Sequence, residues 1–134
     1  MKKDIPFLPV ENVMLAIVRT KKNDDGGEWY VVLMNKNDFS IKNVLVTSKG
    51  YGEKGGEKQE TSVLRHFVEE VPAEQHATIE PIDPALFHLF NEFWVSYYIN
   101  DQIFDKKFVF VPDSVSEDNI IKIKLLDLEG VLHS

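Results

Sequence analysis

The chain has no cysteine. Disulfides, thiolate metal centres and cysteine nucleophiles are excluded at once, and the absence suits a reducing cytoplasm, the compartment expected for this protein. Positive charge is in short supply: 15 Lys and Arg stand against 22 Asp and Glu, giving a net charge of −7 and a pI near 5.0. Such a field repels phosphate backbones. The longest basic clusters are the pairs Lys2-Lys3, Lys21-Lys22 and Lys106-Lys107, so nucleic acid is not the expected partner.

Long hydrophobic runs are missing as well. No segment approaches the roughly 20 apolar residues of a membrane-spanning helix. The opening residues meet Asp4, Pro6 and Pro9 before an apolar run of signal length can develop, so no membrane partner is expected. No internal repeat, low-complexity block or linker-like stretch divides the chain, and residues 1–134 are read as one domain.

Chemical motifs are equally sparse. The four histidines, His66, His76, His88 and His133, show no paired metal-ligand spacing. The strand elbow of serine hydrolases is absent, and neither glycine-lysine step continues into the Ser or Thr of a phosphate-binding loop. Ser62 and His66 stand four apart on an expected strand, about 13 Å by strand rise, too far for a direct hydrogen bond. Gly50-Tyr51-Gly52-Glu53-Lys54-Gly55 satisfies the dinucleotide fingerprint literally. That motif works only where a helix N-terminus beyond the glycines receives the pyrophosphate, and the residues that follow read as a strand. No cofactor is expected.

What the chain does contain is strand signal. With 134 residues, 43% of them hydrophobic and 28% charged, it is long enough to bury a core without staples. Residues 13–19 and 29–34 are apolar and are separated by the turn-rich residues 21–27, which makes a first hairpin. Residues 41–48, 61–68 and 76–80 read as further strands, with residues 50–56 as a mobile glycine-rich connection. Residues 120–125 close the set with period-two alternation at Ile121, Ile123 and Leu125. Helix signal is slight. Asp83 suits an N-cap and Pro84 the first helical position, so at most one short helix is expected near 83–90. Residues 114–117 have capping-box spacing but are read as a turn.

The longest signal is a hairpin from Phe93 to Val111, with aromatic and β-branched residues on both sides of Asn100-Asp101-Gln102. With Asp101-Gln102 at the turn, Ile99 opposes Phe104, Tyr97 opposes Lys106 and Phe93 opposes Phe110. With Asn100-Asp101 there, Tyr97 opposes Phe104 and Phe93 opposes Phe108. The first register is preferred, because on the wet face it sets Tyr98 beside Asp105 and Ser96 beside Lys107. The fold expected is all-β: an immunoglobulin-like antiparallel sandwich of seven to nine strands.

Two resemblances bear on this. Residues 33–46, from Leu33-Met34-Asn35-Lys36 through Asn43-Val44-Leu45-Val46, are similar to the B–C region of immunoglobulin-like sandwiches. Together with Val46-Thr47-Ser48-Lys49-Gly50-Tyr51-Gly52, residues 61–67, Phe93-Trp94-Val95-Ser96-Tyr97-Tyr98 and residues 105–112, nearly the full length resembles a family of short, uncharacterised bacterial proteins. Members of that family sometimes carry a label relating them to phenylalanyl-tRNA synthetase. The resemblance implies an accessory factor of that enzyme or of translation, acting as an associated module, since the chain holds no synthetase catalytic core.

The function expected is a non-catalytic protein-interaction or scaffold module, binding another protein or its own copy through an edge strand or the 50–56 loop. The candidate interaction residues are Lys49, Tyr51, Lys54, Arg65 and His66: an aromatic set among glycines and charges, with Arg65 near its base and His66 read as a hydrogen-bonded structural histidine. The alternative class is a small-ligand-binding protein or hydrolase built on His66, Arg65 and nearby carboxylates.

Overall fold

The computed structural model describes residues 9–20 and 27–134; the turn expected at 21–27 lies, apart from Gly27, outside the described residues. Alternating apolar residues fold as β1 (Val13–Arg19) and β2 (Trp29–Asn35), followed by β3 (Ile41–Lys54), β4 (Glu57–Glu60), β5 (Leu64–Val71) and β6 (Gln75–Pro81). Next come β7 (Phe90–Ile99), β8 (Gln102–Phe110), β9 (Ile121–Ile123) and β10 (Leu128–His133). One five-stranded sheet runs β6-β2-β1-β10-β9; the other runs β4-β3-β7-β8, with β5 pairing beside β4 along β3. Every pairing is antiparallel.

The long-range partners are β2 with β6 and β3 with β7. Strands β1, β2 and β6 in one sheet and β5, β3, β7 and β8 in the other therefore follow the immunoglobulin-like Greek-key order. Among the described residues ten strands replace the seven to nine expected. The excess comes from four-residue β4, which the sequence suggested was loop, and from β10, whose Gly130 interrupts its apolar pattern. That glycine has a steric cause: a Cβ there would lie 2.3 Å from the Ile17 carbonyl oxygen and 2.8 Å from the Val18 Cα.

The core lies between the sheets. Leu15, Ile17, Val31 and Leu33 face Val44, Val46, Phe93, Val95, Tyr97 and Phe108, all essentially inaccessible, and each large side chain so buried is worth roughly 1.5–3 kcal/mol. A second, smaller cluster covers the far side of the first sheet, where Ala16, Val18, Val32 and Met34 pack under Ile123, Leu126 and Leu128. Residues 120–125 thus form only a three-residue strand and a turn, and the turn is what folds over that face.

Asp83 caps as expected, its Oδ1 accepting from the Ala85 amide at 2.9 Å, with Pro84 at the start of a single 3₁₀ turn, Pro84–Leu86. The long hairpin corrects the register. Ile99 pairs with Gln102, Tyr97 with Phe104, Val95 with Lys106 and Phe93 with Phe108, so the turn is Asn100-Asp101. Asn100 sits at φ 55°, a left-handed conformation that Asn tolerates well. On the inner side the Tyr97 and Phe104 rings then stack with centroids 5.3 Å apart. A slip of two residues leaves each side chain on its own face, which is why the apolar and wet faces were assigned correctly from the wrong register.

Candidate functional site

Strand register places two rows of side chains across the outward face of the second sheet. Arg65, Thr47, Trp94 and Lys107 lie side by side on β5, β3, β7 and β8; Phe67, Leu45, Ser96 and Asp105 form the next row. Four large apolar residues of this face are open to solvent: Phe67 at 64%, Trp94 at 45%, Leu45 at 39% and Tyr98 at 36%. The indole Nε1 of Trp94 donates to Asp105, and the Lys107 ammonium stands 5.2 Å above the indole ring. This indole is therefore held flat and outward rather than folded away. Arg65 makes no hydrogen bond or ion pair among the described residues. Sequence reading left Trp94, Phe67, Leu45 and Tyr98 out of the site, although the parity of the hairpin had already put Trp94 and Tyr98 on its wet face.

The same face continues into a shallow recess of about 490 Å³, bordered by Lys49, Tyr51, Glu53, Lys58, Glu60 and Glu92. Glu92, 8% exposed, is its centre. Its carboxylate accepts the Tyr51 hydroxyl at 3.2 Å and lies 3.9 Å from Lys49 Nζ and 4.0 Å from Lys107 Nζ. The Tyr51 ring stacks on Phe90 with centroids 5.3 Å apart. Burial, and then the bond to Glu92, push the Tyr51 hydroxyl above the usual tyrosine range. A neutral phenol and a shared carboxylate are suited to binding.

The segment expected to be a mobile loop at 50–56 is built differently. β3 runs straight through Gly50, Tyr51 and Gly52, turns at Gly55-Gly56 and returns as β4, with Lys54 opposite Glu57. Both turn glycines have positive φ, 61° and 84°, the requirement of a two-residue hairpin that follows the strand twist. No helix follows the glycines, so the dinucleotide fingerprint has no phosphate-binding geometry. Lys54 stands at the tip, away from the aromatic rows.

Adjacent residues on a strand point to opposite faces, and this separates Arg65 from His66. His66 turns to the inner side, where its Nε2 lies 2.6 Å from Glu80 Oε1, on which the Ser48 hydroxyl also donates at 2.9 Å. Ser48 and Glu80, though not His66, border a cavity of about 200 Å³ with Thr61, Ser62, Asp83 and Asn91 on its wall. Both bonds converge on Glu80, so the imidazole does not hold the Ser48 hydroxyl as the base of a nucleophilic pair would. Of the other histidines, His88 Nε2 meets Gln59 Oε1 at 2.6 Å and His133 stands edge-on to Phe108 and Phe110. No group of three or more metal-ligating side chains comes together among the described residues, and no helix there is long and apolar enough to cross a membrane.

Lys49, Tyr51 and Arg65 thus share the outward face, Lys54 marks its hairpin tip, and His66 pairs with Glu80 on the inner side. Comparison with family models, curated proteins and solved structures finds no match for the chain.

Proposed function

We propose that this domain is a non-catalytic protein-interaction module whose binding surface is the outward face of β5, β3, β7 and β8. One observation carries the reading: Leu45, Phe67, Trp94 and Tyr98 are exposed together on one face, whereas the outward face of the first sheet is covered by its own chain over its centre, at Ala16, Val18, Val32 and Met34. Contiguous exposed apolar surface rimmed by charge is characteristic of polypeptide-binding sites, and Trp, Tyr and Arg dominate their energetics. The edges at β8 and β6 are less suited to strand addition. β8 carries Asp105, Lys106 and Lys107 in mid-strand and β6 ends in Pro81, both features that oppose edge pairing.

The test is a quantitative capture with two baits, the natural chain and the double variant Phe67→Glu, Trp94→Arg. Proteins retained by the first and lost by the second support the reading; identical retention contradicts it. Phenylalanyl-tRNA synthetase among the proteins lost would extend the function to the accessory role that the resemblance implies.

The cavity at Ser48 and Glu80 favours a second reading, a small-ligand site, because a carboxylate only 10% exposed forms part of its wall. Melting curves recorded with small primary amines, for the natural chain and Glu80→Gln, test it: a shift confined to the natural chain supports a site there, and equal curves dismiss it.

A further inference from the structure

Resting on the face assigned above, we propose that its occupant is a second copy of this chain, packed sheet against sheet about a two-fold axis that crosses the strands. The two central rows are complementary to one another. An axis lying between the sheets, and between the Arg65–Lys107 row and the Phe67–Asp105 row, brings residues two apart on each strand together across the interface. Lys107 then meets Asp105 of the other copy, Arg65 meets the ring of Phe67, and the broad Trp94 lies on the small Ser96. Charge is matched to charge, cation to aromatic face and large to small, twice over by symmetry.

Net charge bears on where two copies could meet. Two copies of a chain carrying −7 repel each other over most of their surface. On this face Glu92 lies within 4.0 Å of both Lys49 and Lys107, and Arg65 has no ion-pair partner among the described residues, so the patch carries both signs and two copies approach there at lower cost than across their acidic remainder. A nucleic acid would need many more cations, and a strongly acidic partner would be repelled by the remainder of the molecule.

The area fits a weak dimer. Four strands about 4.8 Å apart, with roughly eight residues each at about 3.3 Å, span about 500 Å² before side-chain relief is counted. Counted on both copies that is about 1,000 Å², the lower bound for a specific interface and the range of a weak, concentration-dependent dimer.

Sedimentation equilibrium of the full chain from about 1 to about 200 µM tests the proposal. The expected result is a concentration-dependent mass rising toward twice 15.4 kDa. Lys107→Asp, which sets like charges against each other at both symmetry-related contacts, weakens association at least about tenfold. The charge swap Lys107→Asp with Asp105→Lys restores it, a rescue that a merely misfolded variant cannot show; circular dichroism of each variant checks the fold. A natural chain that stays monomeric throughout overturns the proposal, as does a dimer indifferent to Lys107→Asp. A monomer whose captured proteins still depend on Trp94 and Phe67 refutes self-association while leaving the interaction face standing; a monomer with no such dependence removes both.

Discussion

Single side chains account for the tightest points of the molecule. Gly130 is the clearest case, because a Cβ there meets main-chain atoms of Ile17 and Val18 that cannot swing aside. Gly130→Ala is expected to cost at least about 2 kcal/mol of folding stability, read by urea denaturation. Glu92 is the pivot of the recess. In Glu92→Gln the Tyr51 hydroxyl loses an anionic partner, so its titration, followed by tyrosinate absorbance, moves down while staying above the ordinary range, because burial is the larger cause of its shift. Some of this scale was legible beforehand. Asp83 and Pro84 announce their turn by residue type alone, since capping needs only a short acceptor and a fixed φ. The left-handed Asn100 was missed because register was weighed on wet-face pairs, which contribute little, instead of on turn chemistry and the stacking of Tyr97 with Phe104.

Strands and turns show where local pattern suffices and where it does not. Alternation identified the inner and outer faces of β7 and β8, and apolar runs located β1, β2 and the first half of β3. The glycine-rich stretch after it misled, since glycines that permit a loop equally permit a close two-residue turn. Gly55 and Gly56 hold their arm together through positive φ, and β4 is exposed along its whole length. Gly55→Val is therefore expected to cost about 1–2 kcal/mol within the arm alone. Amide exchange should quicken over residues 51–60 while the global unfolding midpoint barely moves; a large drop in the midpoint would show that the arm is integral to the core. β10 escaped notice because what defines it is a neighbour distant in sequence, β1, and its glycine is explained only by that contact.

At the scale of the whole molecule, the core sets the behaviour in alkali. Burial first, and then the charge of Glu11, push the Tyr97 hydroxyl up to about 12, whereas in the unfolded chain it ionises near about 10. The unfolded chain therefore releases this proton first. The stability gained from the neutral buried phenol is complete below about pH 10 and drains away between about pH 10 and 12, by up to about 2 kcal/mol. Denaturation curves at stepped pH should show that decline, and Tyr97→Phe should flatten it. The function rests on an asymmetry at the same scale: the first sheet is covered over the centre of its outward face, with Ile121 and Leu132 open at its margin, whereas the second exposes Leu45, Phe67 and Trp94 in the middle of its own. Strand parity hinted at that open face, but nothing local in the sequence shows that Leu45, Phe67 and Trp94 become neighbours, since pairing across β5, β3 and β7 decides it. The most direct test is the paired capture with the natural chain and the Phe67→Glu, Trp94→Arg variant, each verified as folded. The expected outcome is a set of proteins, copies of this chain included, bound by the natural bait and absent from the variant; equal binding by both would contradict the assignment of this face.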